Sequence, residues 1–208
     1  MNGTAHAAIG AATGFVVANT IQTSPSMTLF LIGLGGVSGL VPDLDIDGKL
    51  REKITLSHQV IQLVAQLIGI LMILYSFFQG AGREKLLGIG IGLVMMVISA
   101  KIKQKHMLTL TGIGVLAGGF SLQEMWLILL GIYILIASFV PHRSYTHSIL
   151  GVIFFGVTAS KLEASLGMDG VYYTCILGYI SHLIADLKIL PCNRRGVKLF
   201  LPISSKEL

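Results

Sequence analysis

The sequence predicts an all-α, polytopic integral membrane bundle of about eight helices, read as a single domain over residues 1–208. Three observations carry that expectation. Hydrophobic residues make up 53% of the chain and charged residues only 12%, about half the charged share of an ordinary soluble domain. Mean hydropathy is +0.80. The apolar residues fall in runs, several near the length of about 20 residues that a membrane span needs, and no polar stretch is long enough for a separate soluble domain.

Taken in order, the first helix is expected over 6–22. Met1 to Ala5 carries no positive charge, and His6 and Asn19 interrupt the apolar run, so it reads as a retained helix and not a cleaved signal. A second run, 27–42, is rich in glycine (Gly33, Gly35, Gly36, Gly39), which suits close helix contacts in lipid, and Pro42 ends it. The runs 59–79 and 123–140 are long enough to span. Between them lie 85–100, again glycine-rich, and 107–120, which is short for a crossing. Helices over 147–160 and 171–187 complete the count.

The positive-inside rule supplies a topology. With eight crossings, 12 of the 15 lysines and arginines fall on one side and only Arg83, Lys85 and Lys161 on the other, so both termini are expected in the cytoplasm. The same assignment brings all six histidines to the cytoplasmic side. Net charge +5 and pI near 9.3 reflect basic loops beside apolar runs, the pattern that lipid headgroups require, so no nucleic-acid partner is expected. Cys175, in an apolar run, and Cys192, in the basic tail, do not make a disulfide framework.

Three polar islands interrupt this apolar chain, and ionisable groups at membrane depth are costly enough to suggest function. His182 and Asp186 are four apart and share a helix face. They can hold one divalent cation together, the carboxylate can orient the imidazole, or the pair can be solvated at a helix end. Asp43, Asp45 and Asp47 alternate ahead of Gly48, like a calcium loop, but Ile54 stands where that loop needs glutamate. Either Lys49, Arg51 and Lys53 neutralise them in a structural loop, or Asp43 and Asp45 share a cation.

The third island runs from Pro141 to Ser148. Pro141 predicts a turn, with Ser144 or Thr146 capping the next helix. His147 would then lie among free backbone N–H groups that suit an anion such as phosphate, with Arg143 as a forked donor, or the segment is a basic loop at lipid headgroups. His6 sits among Thr4, Ala5, Ala7 and Ala8, small neighbours that let other helices approach a ligand. His58 reads as a cap-region residue and His106 as part of an anchoring charge run.

On these residues the chain resembles the YdjM-like family of membrane-bound metal-dependent hydrolases of bacteria and archaea. The resemblance rests on His6, on Pro42-Asp43-Leu44-Asp45, and on His142-Arg143-Ser144-Tyr145-Thr146-His147-Ser148. It continues through Gly178-Tyr179-Ile180-Ser181-His182-Leu183-Ile184-Ala185-Asp186 and Gly196-Val197-Lys198-Leu199-Phe200-Leu201-Pro202. Where many members carry a histidine after the second aspartate, this chain has Ile46 and then Asp47. The family is distantly similar to zinc-dependent phospholipase C and P1-type nucleases, which implies phosphoester hydrolysis at a prokaryotic plasma membrane.

The resulting expectation is a divalent-metal site at the cytoplasmic face, with zinc first and manganese second, since mixed imidazole and carboxylate ligation suits both. Its candidate ligands are His6, Asp43, Asp45, His142, His147, His182 and Asp186. Asp43 or Asp186 is the expected proton acceptor, and Arg143 the group that stabilises developing charge. The expected substrate is a phospholipid or lipid-linked phosphate. A divalent-metal transporter and a non-catalytic membrane scaffold are the alternatives.

Overall fold

The structure is a computed structural model that describes residues 2–45, 58–101, 104–141, 143–188 and 196–208, the side chains of Asp45, His58, Gln104 and Lys105 excepted. His142, Asp47, the cations of 49–53 and Cys192 lie outside the described residues. Within them the chain is all-helical, with eight α-helices, two short 3-10 turns and no strand. The residues divide into two compact units, 1–51 with 108–208, and 52–107.

The first unit opens with a tight hairpin of α1 (Gly3–Thr20) and α2 (Pro25–Ser38). Asn2 caps α1 by accepting the Ala5 N–H at 3.0 Å. Ser24 caps α2, with Pro25 in its first turn. A glycine seam decides how close the pair comes. A Cβ on Gly10 would strike the carbonyl of Gly35, one on Gly35 the carbonyl of Gly10, and one on Gly39 the carbonyl of His6 at 2.7 Å. Helix α2 ends at Ser38, short of the expected residue 42, because Gly39 caps it and Pro42 cannot continue it. The chain instead turns through a 3-10 segment, Val41–Asp45, which carries Asp43.

The second unit pairs α3 (His58–Gln79) with α4 (Gly82–Ala100). Gly69 and Gly92 sit at their crossing, where a Cβ on Gly92 would lie 2.8 Å from the Gly69 carbonyl. Their outer faces carry Leu71, Tyr75, Phe78, Leu86 and Leu87, all more than 60% exposed. Uncovered apolar surface of that extent marks a face for lipid or for another protein.

Helix α5 (Gln104–Leu122), which enters the first unit at Leu108, is longer than the expected 107–120. It packs on α6 (Met125–Phe139), with Thr109 donating to Ser138 at 3.0 Å. A second 3-10 turn, Tyr145–His147, leads into α7 (Ile149–Leu166), and α8 (Val171–Ala185) comes next. Helix α7 begins later and ends later than expected. Ser148 caps it by accepting the Gly151 N–H, and Lys161, Glu163 and Ser165 are tolerated in a helix until Gly167 ends it at φ +62°. The start of α8 is held by the Glu163 carboxylate, which accepts the Tyr172 N–H at 2.8 Å.

Leu31, Tyr133, Phe155, Val171 and Tyr179 form the core of this unit. The 196–208 segment ties in where the Leu199 carbonyl accepts the Ile149 N–H at 2.9 Å. Among the described residues two helices are long and apolar enough to cross a membrane, over Gln59–Gln79 and Ile149–Leu166; Met125–Phe139, in the run 123–140 expected to span, is apolar but shorter, as are Pro25–Ser38, His106–Leu122 and Val171–Ala185.

Candidate metal centre

Four helix ends of the first unit deliver the ionisable residues to one place. His6 comes from the first turns of α1, Asp43 from the turn after α2, His147 from the turn before α7, and His182 with Asp186 from the end of α8. All five are buried, with exposures of 1% for His6, 8% for Asp43, 0% for His147 and His182, and 3% for Asp186. Buried charge at that density requires partners.

The proton on His182 can be placed from its neighbour. Its Nδ1 lies 2.7 Å from the Gly39 carbonyl oxygen, which can only accept, so Nδ1 carries the hydrogen and Nε2 of the neutral ring is bare. That bare Nε2 faces His147 Nε2 at 3.3 Å and Asp43 Oδ1 at 3.4 Å. The third side of the triangle, His147 Nε2 to Asp43 Oδ1, is 3.5 Å. Thr146 Oγ1 stands 3.1 Å from His147 Nδ1 and can accept its proton, which bares the second Nε2 as well. Three lone pairs then converge, an arrangement that repels itself unless a positive charge sits among them.

The spacing of the triangle can be compared with that of a metal site. Ligands bound about 2.0–2.1 Å from a tetrahedral cation stand about 3.3–3.4 Å from one another. His182, His147 and Asp43 are already that far apart, so the donor set fits a small tetrahedral cation without rearrangement.

Asp186 completes the cluster. Its Oδ1 lies 3.3 Å from His6 Nε2, while Oδ2 takes the Arg143 guanidinium at 3.2 Å and stands 3.9 Å from His182 Nε2. The His6 ring stacks on His182 with centroids 3.8 Å apart. Two overlapping sets of three, His6 with Asp43 and His182, and His147 with His182 and Asp186, could each hold a metal ion. Burial disfavours charge on Asp43, but in the metal-free cluster, where a ring proton and not a cation lies between them, hydrogen bonds from His147 and His182 outweigh it and hold the carboxyl far below the usual carboxylate range. For Asp186 burial is likewise outweighed, chiefly by the bond to His6, and its carboxyl is also held low. Both stay ionised.

The structure thus brings together His6, Asp43, His147, His182, Asp186 and Arg143. Asp45 closes its turn, its side chain outside the described residues, as is His142. One expectation is corrected. His147 does not occupy a helix start with free N–H groups: neither Ser144 nor Thr146 caps α7, because Ser144 donates to the Pro141 carbonyl and Thr146 pairs with His147. Ser148 is the cap, and the amides of Ile149 and Gly151 at the start of α7 are bonded to Leu199 and Ser148. The Gly39 carbonyl and the Thr146 hydroxyl, which orient the two imidazoles, are additions that the motifs alone do not supply. Thr146 has a signal in its place beside His147, whereas a backbone acceptor leaves none.

A family model described as YdjM inner membrane protein matches the chain over residues 1–208. No curated protein and no solved structure matches it.

Proposed function

The chain belongs to the YdjM family of inner membrane proteins, and on that premise we propose a multi-pass, metal-dependent hydrolase that cleaves a phosphoester of a lipid or lipid-linked substrate at the cytoplasmic face. The single observation that carries this reading is the triangle of His147 Nε2, His182 Nε2 and Asp43 Oδ1, with sides of 3.3, 3.4 and 3.5 Å, buried at the ends of apolar helices. His147, His182 and Asp43 would hold the cation, zinc before manganese because the spacing is tetrahedral. His6 and Asp186 stand beside them as further ligands or as the groups that fix the His182 ring.

A bound divalent cation supplies Lewis acidity, acidifying water to a pKa of about 7 and drawing charge from a phosphoryl group. The chain's residues do the rest. The contacts of Asp43 with described residues fall on Oδ1, which leaves Oδ2 to take the proton of the attacking water. Arg143, 23% exposed, is the most open of the cluster's charged side chains, and its guanidinium can turn from Asp186 toward the phosphoryl oxygens as charge develops. Asp186 anchors that guanidinium and His6 at once, so it serves as an orienting carboxylate.

Position favours this reading over transport. A transporter places its ionisable residues near the middle of the bilayer on broken helices, whereas these lie at the ends of unbroken ones. Protein purified in detergent, measured for bound metal and then for phosphatase activity on a phospholipid headgroup, provides the test. Roughly stoichiometric zinc or manganese and turnover are expected, both lost in His182→Ala and Asp43→Ala. Tightly bound metal without turnover would identify a scaffold, and metal flux in proteoliposomes a transporter.

A further inference from the structure

Two buried tyrosines outside the ligand set connect the two 3-10 turns that carry ligands. The Tyr179 hydroxyl donates to the carbonyl of Thr146, the residue directly before His147. Tyr133 Oη lies 3.0 Å from Tyr179 Oη and 3.5 Å from the carbonyl of Val41, two residues before Asp43. A continuous chain of polar atoms therefore runs from the backbone of one turn to that of the other. Tyr179 and Tyr133 are 0% and 4% exposed.

Each hydroxyl has one hydrogen to give. Tyr179 spends its hydrogen on Thr146, so it receives from Tyr133, and the Val41 carbonyl competes for the same Tyr133 hydrogen at longer range. The bridge is thus directional and strongest at the His147 end. Tyr179 also lies three residues before His182 on α8, so one helix face presents both a ligand and the bridge. Room for the hydroxyl comes from Gly151 on α7, where a Cβ would stand 2.5 Å from Tyr179 Oη and 2.8 Å from the Thr146 carbonyl. Phe155 stacks on the Tyr179 ring with centroids 5.1 Å apart and fixes its angle.

We infer that Tyr179 and Tyr133 are positioning residues, a hydroxyl bridge that holds the Asp43 and His147 turns at the separation a tetrahedral cation requires. The inference rests on the metal-centre reading above. The hydroxyls meet backbone carbonyls and each other. They act through the backbone, as outer partners of a metal site do, and losing such a partner weakens metal binding by about 10- to 100-fold.

The test compares wild type with Tyr179→Phe and Tyr133→Phe, each lacking one oxygen and keeping the packed ring. Zinc affinity is read by competition with a chelating dye, and ligand geometry by the visible absorption of the Co2+-loaded protein. A tyrosine that only fills the core would leave both unchanged. The expected result is a zinc affinity lower by about 10- to 100-fold for Tyr179→Phe, a smaller loss for Tyr133→Phe, and a weakened tetrahedral Co2+ band in both. Circular dichroism of the metal-free proteins should match wild type. Wild-type affinity and spectrum in both variants would overturn the bridge and leave the metal centre standing. If wild type itself binds neither ion, the metal centre falls and the bridge with it. Should Tyr179→Phe not fold, Tyr133→Phe decides by the same two readouts.

Discussion

His182 concentrates the chemistry of the cluster into one ring. Gly39 fixes its tautomer from one side, His6 covers its face, and its bare nitrogen meets His147 and Asp43. Removing the ring should therefore cost more than the 10- to 100-fold typical of an outer partner, so His182→Ala should retain no zinc through dialysis when measured by mass spectrometry. The carboxylates set how the site responds to acid. Asp43 and Asp186 are both held below their usual range, so their folded values lie under the unfolded value of about 3.9. The stability they contribute is present above that value and is lost only as pH falls through the lower, folded one. Metal, in contrast, competes with protons for imidazole nitrogen. Acidification from pH 8 should release zinc while the carboxylates are still ionised, with protons taken up by the protein. Zinc retained down to pH 4 would show that imidazoles do not bind it. Arg143 makes a separate prediction. Arg143→Lys keeps charge but loses the fork, and should lower turnover on a phosphoester while zinc content stays unchanged.

At the level of elements, placement of the site depends on how near α1 comes to α2, and glycine decides that. Gly35 faces the Gly10 carbonyl with no space for a methyl group, while a Cβ on Gly33 would meet nothing within 4 Å. Gly35→Ala should therefore cost about 1–3 kcal/mol by overpacking, lower the thermal midpoint in detergent, and displace His6 enough to reduce zinc binding. Gly33→Ala, two residues away on the same helix, should be neutral or slightly stabilising, because alanine is the better helix former there. Equal effects at the two positions would remove the seam from the explanation. The apolar runs make all eight helices legible from composition, and the glycines of α2 announce close packing. Neither reveals the 3-10 turns that carry Asp43 and His147. Pro42 and Pro141 mark where helices stop but do not set the conformation of the residues after them, so the sequence alone runs α2 too far and starts α7 at the ligand. Histidines and aspartates are visible as polar residues in an apolar chain. Tyr133, Tyr179 and the Gly39 carbonyl are not, since tyrosine is ordinary in a core and a backbone acceptor has no residue type.

For the molecule as a whole, parity of the helices links the site to the membrane. Two described helices separate His6 from Asp43, four separate Asp43 from His147, and two separate His147 from His182. Every number is even, so if each helix crosses the bilayer, all the ligands emerge on one side, as their convergence requires. An odd number of crossings in any interval would set ligands on opposite faces. The inner membrane assignment of the family and the exposed apolar side chains of α3 and α4 agree with crossing. In the proposed topology the excess of lysine and arginine on the ligand side puts that side in the cytoplasm. Single cysteines introduced into a protein carrying Cys175→Ala and Cys192→Ser give the check, using a membrane-impermeant maleimide on intact spheroplasts. Ser26→Cys, in the first turn of α2, and Met168→Cys, between α7 and α8, both exposed positions, should be labelled from outside. Ser205→Cys, in the carboxyl-terminal segment that bonds to the start of α7, should react only after the membrane is opened. Labelling of Ser205→Cys in intact cells would place the ligand cluster at the outer face and rule out any substrate confined to the cytoplasmic leaflet, whatever metal the cluster holds.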